Sequence, residues 1–180
     1  GWSPGKYGNA MGFDGKDDYV DIANDGSLNI TDAITVEAWA NIDWTVKKQD
    51  IVSRYGGTVS QFKIGISSSG SINLQPLIET SGGSMSFNLG VSSFTGWHHL
   101  VMTFENNGFL KLYVDGTLRS ETNTNTGTIT PSPDNIRIGS RLDNSFYTNG
   151  TIDEVKIYSR ALTAEEIRTH YLRGKGFGAT

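Results

Sequence analysis

The sequence predicts an all-β protein, an antiparallel β-sandwich with one short helix near its C-terminus. Segments in which apolar and polar residues alternate recur along most of the chain, as in strands that bury one face. Several of these segments are separated by a glycine that follows Ser, Asn or Asp, as tight hairpin turns require. No stretch alternates strands with helices in the way that a parallel sheet requires, so the sheets are predicted to be antiparallel.

The clearest predicted strand covers residues 34–42 (ITVEAWANI), where every second residue is Ile, Val or Ala. The intervening series contains Trp39, so the pattern leaves the buried face open. Similar alternation predicts strands at 62–66, 71–75, 98–104, 109–114, 136–138 and 152–158.

Turn and cap residues complete this outline. The pairs Ser69-Gly70, Asn107-Gly108 and Asp115-Gly116 predict hairpin turns. One helix is predicted over 161–172, because Thr163 and Glu166 have the spacing of a capping box. We interpret this helix as a terminal appendage rather than a crossover between strands.

Length and composition indicate a single domain over residues 1–180. The chain has 36% hydrophobic and 19% charged residues, enough apolar side chains for a sandwich core and few charges. The sequence opens without Met, and we expect the chain to be part of a larger protein.

Several partner classes are disfavoured by composition. The net charge is -4 and no basic cluster is present, so we expect no nucleic-acid binding. No apolar run approaches the length of a membrane span, so we expect no membrane insertion. With no cysteine, disulfides and cysteine-ligated zinc are excluded.

Three motifs carry a resemblance to a known family. They are residues 97–104 (WHHLVMTF), residues 112–116 (LYVDG) and residues 152–162 (IDEVKIYSRAL), supported by the opening segment 5–15 (GKYGNAMGFDG). Together they resemble laminin-G-like (LamG) domains of the concanavalin A-like lectin/glucanase superfamily. The resemblance implies a jelly-roll sandwich, a fold that serves carbohydrate binding, adhesion, protein binding and catalysis.

The resemblance also implies a structural Ca²⁺ between the first and last strands. Asp153 stands where related domains place an aspartate ligand, and Asp14 is the expected opposite ligand, with backbone carbonyls at Gly12 and Asp32 as supplements. The alternative is that these aspartates only cap turns by accepting amide hydrogen bonds.

Catalysis is not predicted. Glucanases of this fold place carboxylates two residues apart on one strand, and no such strand occurs here. Glu37 is isolated, Glu105 lies beside a turn, and Glu165 and Glu166 belong to the helix start. We therefore expect a protein that is not an enzyme.

Ligand contacts are expected from aromatic, amide and charged side chains in the variable loops. The segment 141–149 (RLDNSFYTN) mixes these types just before the last strand. The alternative is that its aromatic rings pack on the sandwich edge. The candidate residues are Trp44, Arg54, Tyr55, Gln61, Asn73, Gln75, Arg141, Asp143, Asn144, Phe146 and Tyr147.

The resulting functional hypothesis is a non-catalytic carbohydrate-binding or adhesion module of a secreted or cell-surface protein, stabilised by calcium. Its expected partner is a glycan or surface polysaccharide. A protein-interaction or spacer domain is the alternative, and a glycan-cleaving enzyme is the third hypothesis.

Overall fold

Two antiparallel sheets form the structure, a computed structural model that describes residues 1–68 and 70–176. Sheet I has the strand order β1-β2-β14-β4-β10-β11-β12, and sheet II has the order β3-β13-β5-β6-β7-β8, with β9 paired to β7. The elements are β1 (Trp2–Pro4), β2 (Asn9–Asp14), β3 (Val20–Ile22), β4 (Ala33–Ile42), β5 (Gln49–Arg54), β6 (Phe62–Ser68), β7 (Ile72–Thr80), β8 (Gly83–Ser86), β9 (Leu89–Gly90), β10 (His98–Glu105), β11 (Leu110–Val114), β12 (Thr117–Thr122), β13 (Ile136–Ile138), β14 (Asn149–Tyr158) and α1 (Ala164–Lys175).

The prediction of an antiparallel sandwich with one short helix is confirmed. Each predicted strand overlaps an observed one, and the structure adds shorter strands that alternation did not predict. Strand β5 is an example, because every residue from Gln49 to Arg54 is buried and its polar side chains break the alternating pattern.

The hydrophobic core lies between the two sheets. Strand β4 contributes the series Ile34, Val36, Ala38, Ala40 and Ile42, all buried. The neighbouring strand β10 of the same sheet adds further core side chains, and β6 of sheet II supplies side chains that pack against them. The side chains of Glu37 and Trp39 therefore lie on the outer face of sheet I.

Helix α1 covers that outer face. It begins with a capping box between Thr163 and Glu166, as predicted, and its Ile167 is fully buried against Val101 and Tyr113. Because α1 covers one side of sheet I and the core covers the other, both faces of β4 are buried. Among the described residues, no helix is long and apolar enough to cross a membrane.

The two predicted hairpin turns within the described residues are present, and one of them is a tight primed turn. Asp115 and Gly116 have φ 53° and 74°, the left-handed values of such a turn. At the other turn, Asn107 has φ 60° and the amide of Gly108 donates to the carbonyl of Glu105 at 2.9 Å, so Asn106 and Asn107 are the central residues. These turns connect β10 to β11 and β11 to β12. The predicted turn at Ser69-Gly70 includes Ser69, which lies outside the described residues.

Candidate ligand-binding cleft

The two aspartates predicted to share calcium lie at different points along sheet I. Asp14 pairs with Asn149 at the start of β14, whereas Asp153 is four residues further along that strand. A rise of about 3.3 Å per residue places their backbones about 13 Å apart, whereas oxygen ligands of one Ca²⁺ lie about 2.3–2.6 Å from the ion. This spacing disfavours one ion shared by Asp14 and Asp153.

Each aspartate already accepts backbone hydrogen bonds. Oδ2 of Asp153 accepts from the amide of Tyr7 at 3.0 Å, and Oδ1 accepts from the amide of Glu154 at 2.8 Å. Oδ1 of Asp14 accepts from the amide of Lys16 at 2.9 Å, and this bond is the main reason that the pKa of Asp14 lies below its ordinary value. Asp14 thus caps the turn at Lys16, and Asp153 joins β14 to the chain at Tyr7.

The two predicted carbonyl ligands lie elsewhere. The carbonyl of Gly12 accepts from the amino group of Gly1 at 3.0 Å. The carbonyl of Asp32 accepts from the amide of Asn106 at 2.9 Å, beside the end of β4 that lies far from Asp14. These positions do not favour the predicted ligand set. Within residues 1–68 and 70–176, no group of three or more His, Asp or Glu side chains is arranged to hold a metal. Calcium binding itself stays a prediction.

Three predicted ligand contacts are interior side chains instead. Trp44 is only 6% exposed and packs edge to face on Phe94, with ring centroids 5.2 Å apart. Arg54 is fully buried, and its Nη1 donates to the carbonyl of Leu28 at 2.9 Å. Gln61 is also buried and donates to the carbonyls of Ile30 and Thr130. These side chains hold the sandwich together and are not accessible to a ligand.

Arg141 and Tyr55 lie together on the outer face of sheet II, where they take part in a buried ionic cluster. Nε of Arg141 donates to Oδ2 of Asp50 at 2.9 Å, and its guanidinium lies 5.1 Å from the ring centroid of Tyr55. Asp50 is fully buried and also contacts the ammonium of Lys63 at 3.5 Å. Burial lowers the pKa of Lys63, and the charge of Asp50 offsets part of that effect. The cluster fastens the loop 139–148 to sheet II.

The other predicted ligand contacts form two groups, one in the loop 139–148 and one on β7. Oδ1 of Asn144 accepts from Nη1 of Arg137 at 2.8 Å, Asp143 accepts from Oγ of Ser145, and the ring of Phe146 lies 3.5 Å from the guanidinium of Arg141. Tyr147 is half-buried. Gln75 donates to Asn88 at 3.2 Å and Asn73 to the carbonyl of Ser71 at 2.8 Å, both on β7. The structure thus brings residues 141–146 close to Tyr55. Trp44, Asn73 and Gln75 lie away from that group.

An open cleft lies instead on the outer face of sheet I, between β14 and helix α1. Its volume is about 470 Å³, within the range of roughly 300–1,000 Å³ that is typical of small-molecule sites. Aromatic and charged side chains line it: Tyr7, Glu37, Trp39, Glu154, Lys156, Tyr158, His170 and Arg173.

Glu37 forms the base of the cleft. Its side chain is 1% exposed, with Nε2 of His99 3.1 Å from Oε1 and Nδ1 of His170 2.8 Å from Oε2. Burial alone would raise the pKa of Glu37, but the two histidine contacts outweigh burial and hold the pKa below its ordinary value. Glu37 is therefore an ionised, fully partnered carboxylate.

Helix α1 positions His170 through close packing on Trp39. The ring of Trp39 stacks on Tyr171 with centroids 5.8 Å apart. Gly174 lies directly against the indole, and a Cβ atom there would clash with Cζ2 of Trp39. The absence of a side chain at Gly174 lets the helix approach close enough for His170 to reach Glu37.

A β-bulge in β14 positions the opposite wall. The register shifts between Asp153 and Lys156, and Glu154 has φ 49° at this point. Nζ of Lys156 lies 2.9 Å from Oε2 of Glu154 and 3.9 Å from Oε1 of Glu37. Burial would lower the pKa of Lys156, but these carboxylates raise it above its ordinary value.

Local sequence patterns do not reveal this cleft. Glu37 looks isolated in the sequence because its partners His99 and His170 are 62 and 133 residues away. One signal was present, since Glu37 and Trp39 belong to the same face of an alternating strand.

Two antiparallel sheets packed in this order define a β-sandwich, and a polar and aromatic cleft lies on one of its outer faces. Residues 14–168 match a laminin G family model described as the concanavalin A-like lectin/glucanases superfamily. The chain therefore belongs to the laminin-G-like branch of that superfamily, as the sequence motifs predicted.

Among curated proteins, the chain is similar to the human adhesion G-protein coupled receptor D1, with 33% identity over 136 residues. The match covers 72% of this chain and 15% of the length of the receptor.

Among solved structures, the chain resembles domain 4 of AbnA, an extracellular arabinanase from Geobacillus stearothermophilus, in complex with arabinotriose, at TM-score 0.68 and 20% identity. That match covers 93% of this chain and 79% of that one. The ligand binding domain of botulinum neurotoxin serotype D, in complex with N-acetylneuraminic acid, matches at TM-score 0.75 and 18% identity, covering 96% of this chain and 44% of the toxin domain. At these identities the two structures establish the fold alone.

Proposed function

We propose that this chain is a non-catalytic carbohydrate-binding or adhesion module, and that its glycan binds in the cleft in front of Glu37. The observation that carries the proposal is the cleft itself, which is open to solvent and combines aromatic walls with charged hydrogen-bonding groups. The superfamily and the sugar complexes of the compared domains support the same class of ligand.

The walls of the cleft suit a sugar ring, which has apolar faces and a rim of hydroxyl groups. Tyr7 is 43% exposed and Tyr158 is half-buried, so parts of both rings are accessible. Lys156, Arg173 and Glu154 supply donors and acceptors to sugar hydroxyls. We propose that residues 1–180 form one such module.

Hydrolysis is the third hypothesis, and the separation of two carboxylates bears on it. Glu37 and Glu154 both contact Nζ of Lys156, at 3.9 and 2.9 Å. Their carboxylate oxygens are therefore at most about 7 Å apart, a limit that includes the carboxyl spacing of about 5–5.5 Å in retaining glycosidases. A glycosidase also needs a carboxyl group that stays protonated, with a raised pKa. The pKa of Glu37 is instead lowered by its two histidine contacts, so Glu37 does not fit the acid role.

The setting is proposed to be the cell surface or the secreted fraction, since the human relative is an adhesion receptor and the arabinanase is extracellular. Localising the full-length protein by cell fractionation tests this part. A stabilising Ca²⁺ is retained as a proposal, with at most one of Asp14 and Asp153 among its ligands.

A protein-interaction or spacer domain is the alternative, and one observation favours it. Leu118 and Leu172 are 43% and 51% exposed beside the groove between α1 and β12. Two apolar side chains of this size are common on monomer surfaces. The alternative gains support if no glycan binds.

A glycan array followed by isothermal titration calorimetry tests the proposal. We expect binding that falls at least tenfold in Tyr7→Ala, because Tyr7 is an accessible aromatic wall of the cleft. Tyr19→Ala is the matched control, since Tyr19 is also 43% exposed but lies outside the cleft. Equal loss in both variants, or no glycan binding at all, would contradict the proposal. Release of reducing sugar by wild type but not by Glu37→Gln would support hydrolysis instead.

A further inference from the structure

We propose that the cleft in front of Glu37 selects acidic sugars and binds their carboxylate through Arg173. This inference rests on the proposed glycan binding and adds the class of sugar. It follows from which charges in the cleft are already partnered and which are accessible.

The carboxylate of Glu37 at the base of the cleft is already paired with other side chains of the protein. Glu37 contacts His99, His170 and Lys156, and its side chain is 1% exposed. A buried carboxylate with three partners offers little to a ligand, either as an acceptor or as an uncompensated charge. Glu37 instead orients His170, whose Nδ1 contacts Oε2.

The accessible charge near the cleft is mostly positive. Lys156 and Arg173 line the cleft, and the ammonium of Lys6 lies 4.5 Å from the ring centroid of Trp39. The accessible carboxylate that opposes them is Glu154, which contacts Lys156 at 2.9 Å. Of the accessible charged residues that line the cleft, two are cations and one is a carboxylate, and Lys6 adds a third cation nearby. Glu165 and Glu166 lie in an adjacent groove that also includes Arg173, and Glu166 is already paired with Arg160 at 2.7 Å.

Arg173 is the best placed of these cations for a ligand. It is exposed in the last turn of α1, and among residues 1–68 and 70–176 no Asp or Glu side chain lies within 4.0 Å of its guanidinium. A guanidinium forms two parallel hydrogen bonds with a carboxylate, a geometry that a neutral hydroxyl group does not match. Lys156 has three N–H donors and can direct one of them to the same ligand.

The remaining polar groups of the cleft can serve either kind of sugar. With Nδ1 of His170 directed at Glu37, the other ring nitrogen is available to a ligand, as donor or acceptor according to the tautomer. Tyr7 and Tyr158 add hydroxyl groups, which both donate and accept. Lys156 and Arg173 are donors only. An acidic sugar, which adds acceptor oxygens and negative charge, therefore matches these two cations better than a neutral sugar does.

The test compares ligands that differ in the charge of one carboxyl group. Oligogalacturonate and its methyl ester share one backbone, and a sialylated oligosaccharide and the methyl ester of its sialic acid form a second pair. We expect calorimetry to show at least tenfold tighter binding of the acidic member, with an advantage that shrinks as salt is raised. Arg173→Gln should remove the preference. Arg168→Gln on the same helix lies in a different groove, and we expect it to retain the preference.

Each outcome separates this inference from the proposed function. Equal binding of both members, with loss in Tyr7→Ala, overturns the preference and leaves glycan binding intact. Binding of neither member, and of no other glycan, overturns the proposed function. An acidic preference that persists in Arg173→Gln overturns the role of Arg173. Equal binding of sulfated oligosaccharides without carboxylates overturns carboxylate recognition.

Discussion

The carboxylate of Glu37 and the imidazole of His170 lie 2.8 Å apart, although 133 residues separate them in the chain. Glu37 lies in the middle strand of sheet I, and His170 lies on the helix that covers that sheet. The contact joins the C-terminal helix to the sheet and forms the base of the proposed ligand cleft. Folding and binding are therefore expected to depend on the same pair.

His170→Ala should destabilise the fold. The substitution removes a hydrogen bond to a buried charged group, a loss of about 1.5–3 kcal/mol in the free energy of unfolding. Urea unfolding followed by tryptophan fluorescence measures it, because Trp39 lies at the helix interface. Thr169→Ala, at the exposed neighbouring position, is the control and should change stability little. Equal effects of the two substitutions would show that the contact contributes nothing.

Stability should also depend on pH through Glu37. Its pKa in the folded protein lies below the ordinary value of 4.5, so its contribution is present above that value and is lost as the pH falls through the folded pKa. Thermal unfolding between pH 3 and pH 7 should therefore show a smaller decline at low pH for Glu37→Gln than for wild type. Glu165→Gln, an exposed change in the first turn of α1, should behave like wild type. Parallel curves for wild type and Glu37→Gln would contradict the contribution of Glu37.

Gly174→Ala should weaken helix docking. Helix propensity alone favours Ala by about 1 kcal/mol, but overpacking against a rigid indole costs about 1–3 kcal/mol. We expect net destabilisation and a change in near-ultraviolet circular dichroism as Trp39 shifts. Lys175→Ala changes an exposed neighbour and should leave the spectrum unchanged. A more stable Gly174→Ala protein would show that the interface has room for a methyl group.

Arg141→Ala distinguishes a ligand contact from a structural role. The substitution leaves Asp50 buried with only Lys63 as its charged partner, which should cost about 3 kcal/mol of stability. Glycan affinity of the folded fraction should be unchanged, since Arg141 lies on sheet II and the cleft lies on sheet I. Chemical unfolding and calorimetry give the two values. Lost affinity with unchanged stability would restore the original prediction that Arg141 binds the glycan.

Calcium can be tested through the same pair of aspartates that suggested it. If calcium raises the thermal midpoint, at most one of Asp14→Asn and Asp153→Asn should remove that gain, because about 13 Å separates the two residues along β14. In chelator, the two substitutions should have additive effects on stability. Differential scanning fluorimetry with calcium or chelator measures both. Loss of the whole calcium effect in each single variant would show that one ion is shared after all.

Local patterns were sufficient for the fold. Alternation predicted β4 and β10, the left-handed turn residues predicted the hairpin at Asp115, and the spacing of Thr163 and Glu166 predicted the start of α1. Each of these features depends on neighbours within a few residues, so the sequence displays it directly. The family motifs added the identity of the sandwich.

The same patterns misplaced the site. Polar residues in loops were expected to meet a ligand, but Arg54 is buried and Arg141 is paired with Asp50, because loop side chains also satisfy buried polar groups. Asp14 and Asp153 belong to adjacent strands, but the pairing register of β2 and β14 sets them four residues apart. No local pattern encodes that register.

By itself, the sequence determined an antiparallel sandwich with one C-terminal helix, because strand alternation, turns and helix caps are local properties. Its family motifs added the lectin-like class. Only the tertiary structure decided where a ligand can bind. The cleft exists because β4, β14 and α1 bring Glu37, Lys156 and His170 together, and because Gly174 lets the helix lie against Trp39. These contacts join residues more than a hundred positions apart, so they arise from packing and not from any segment of the chain.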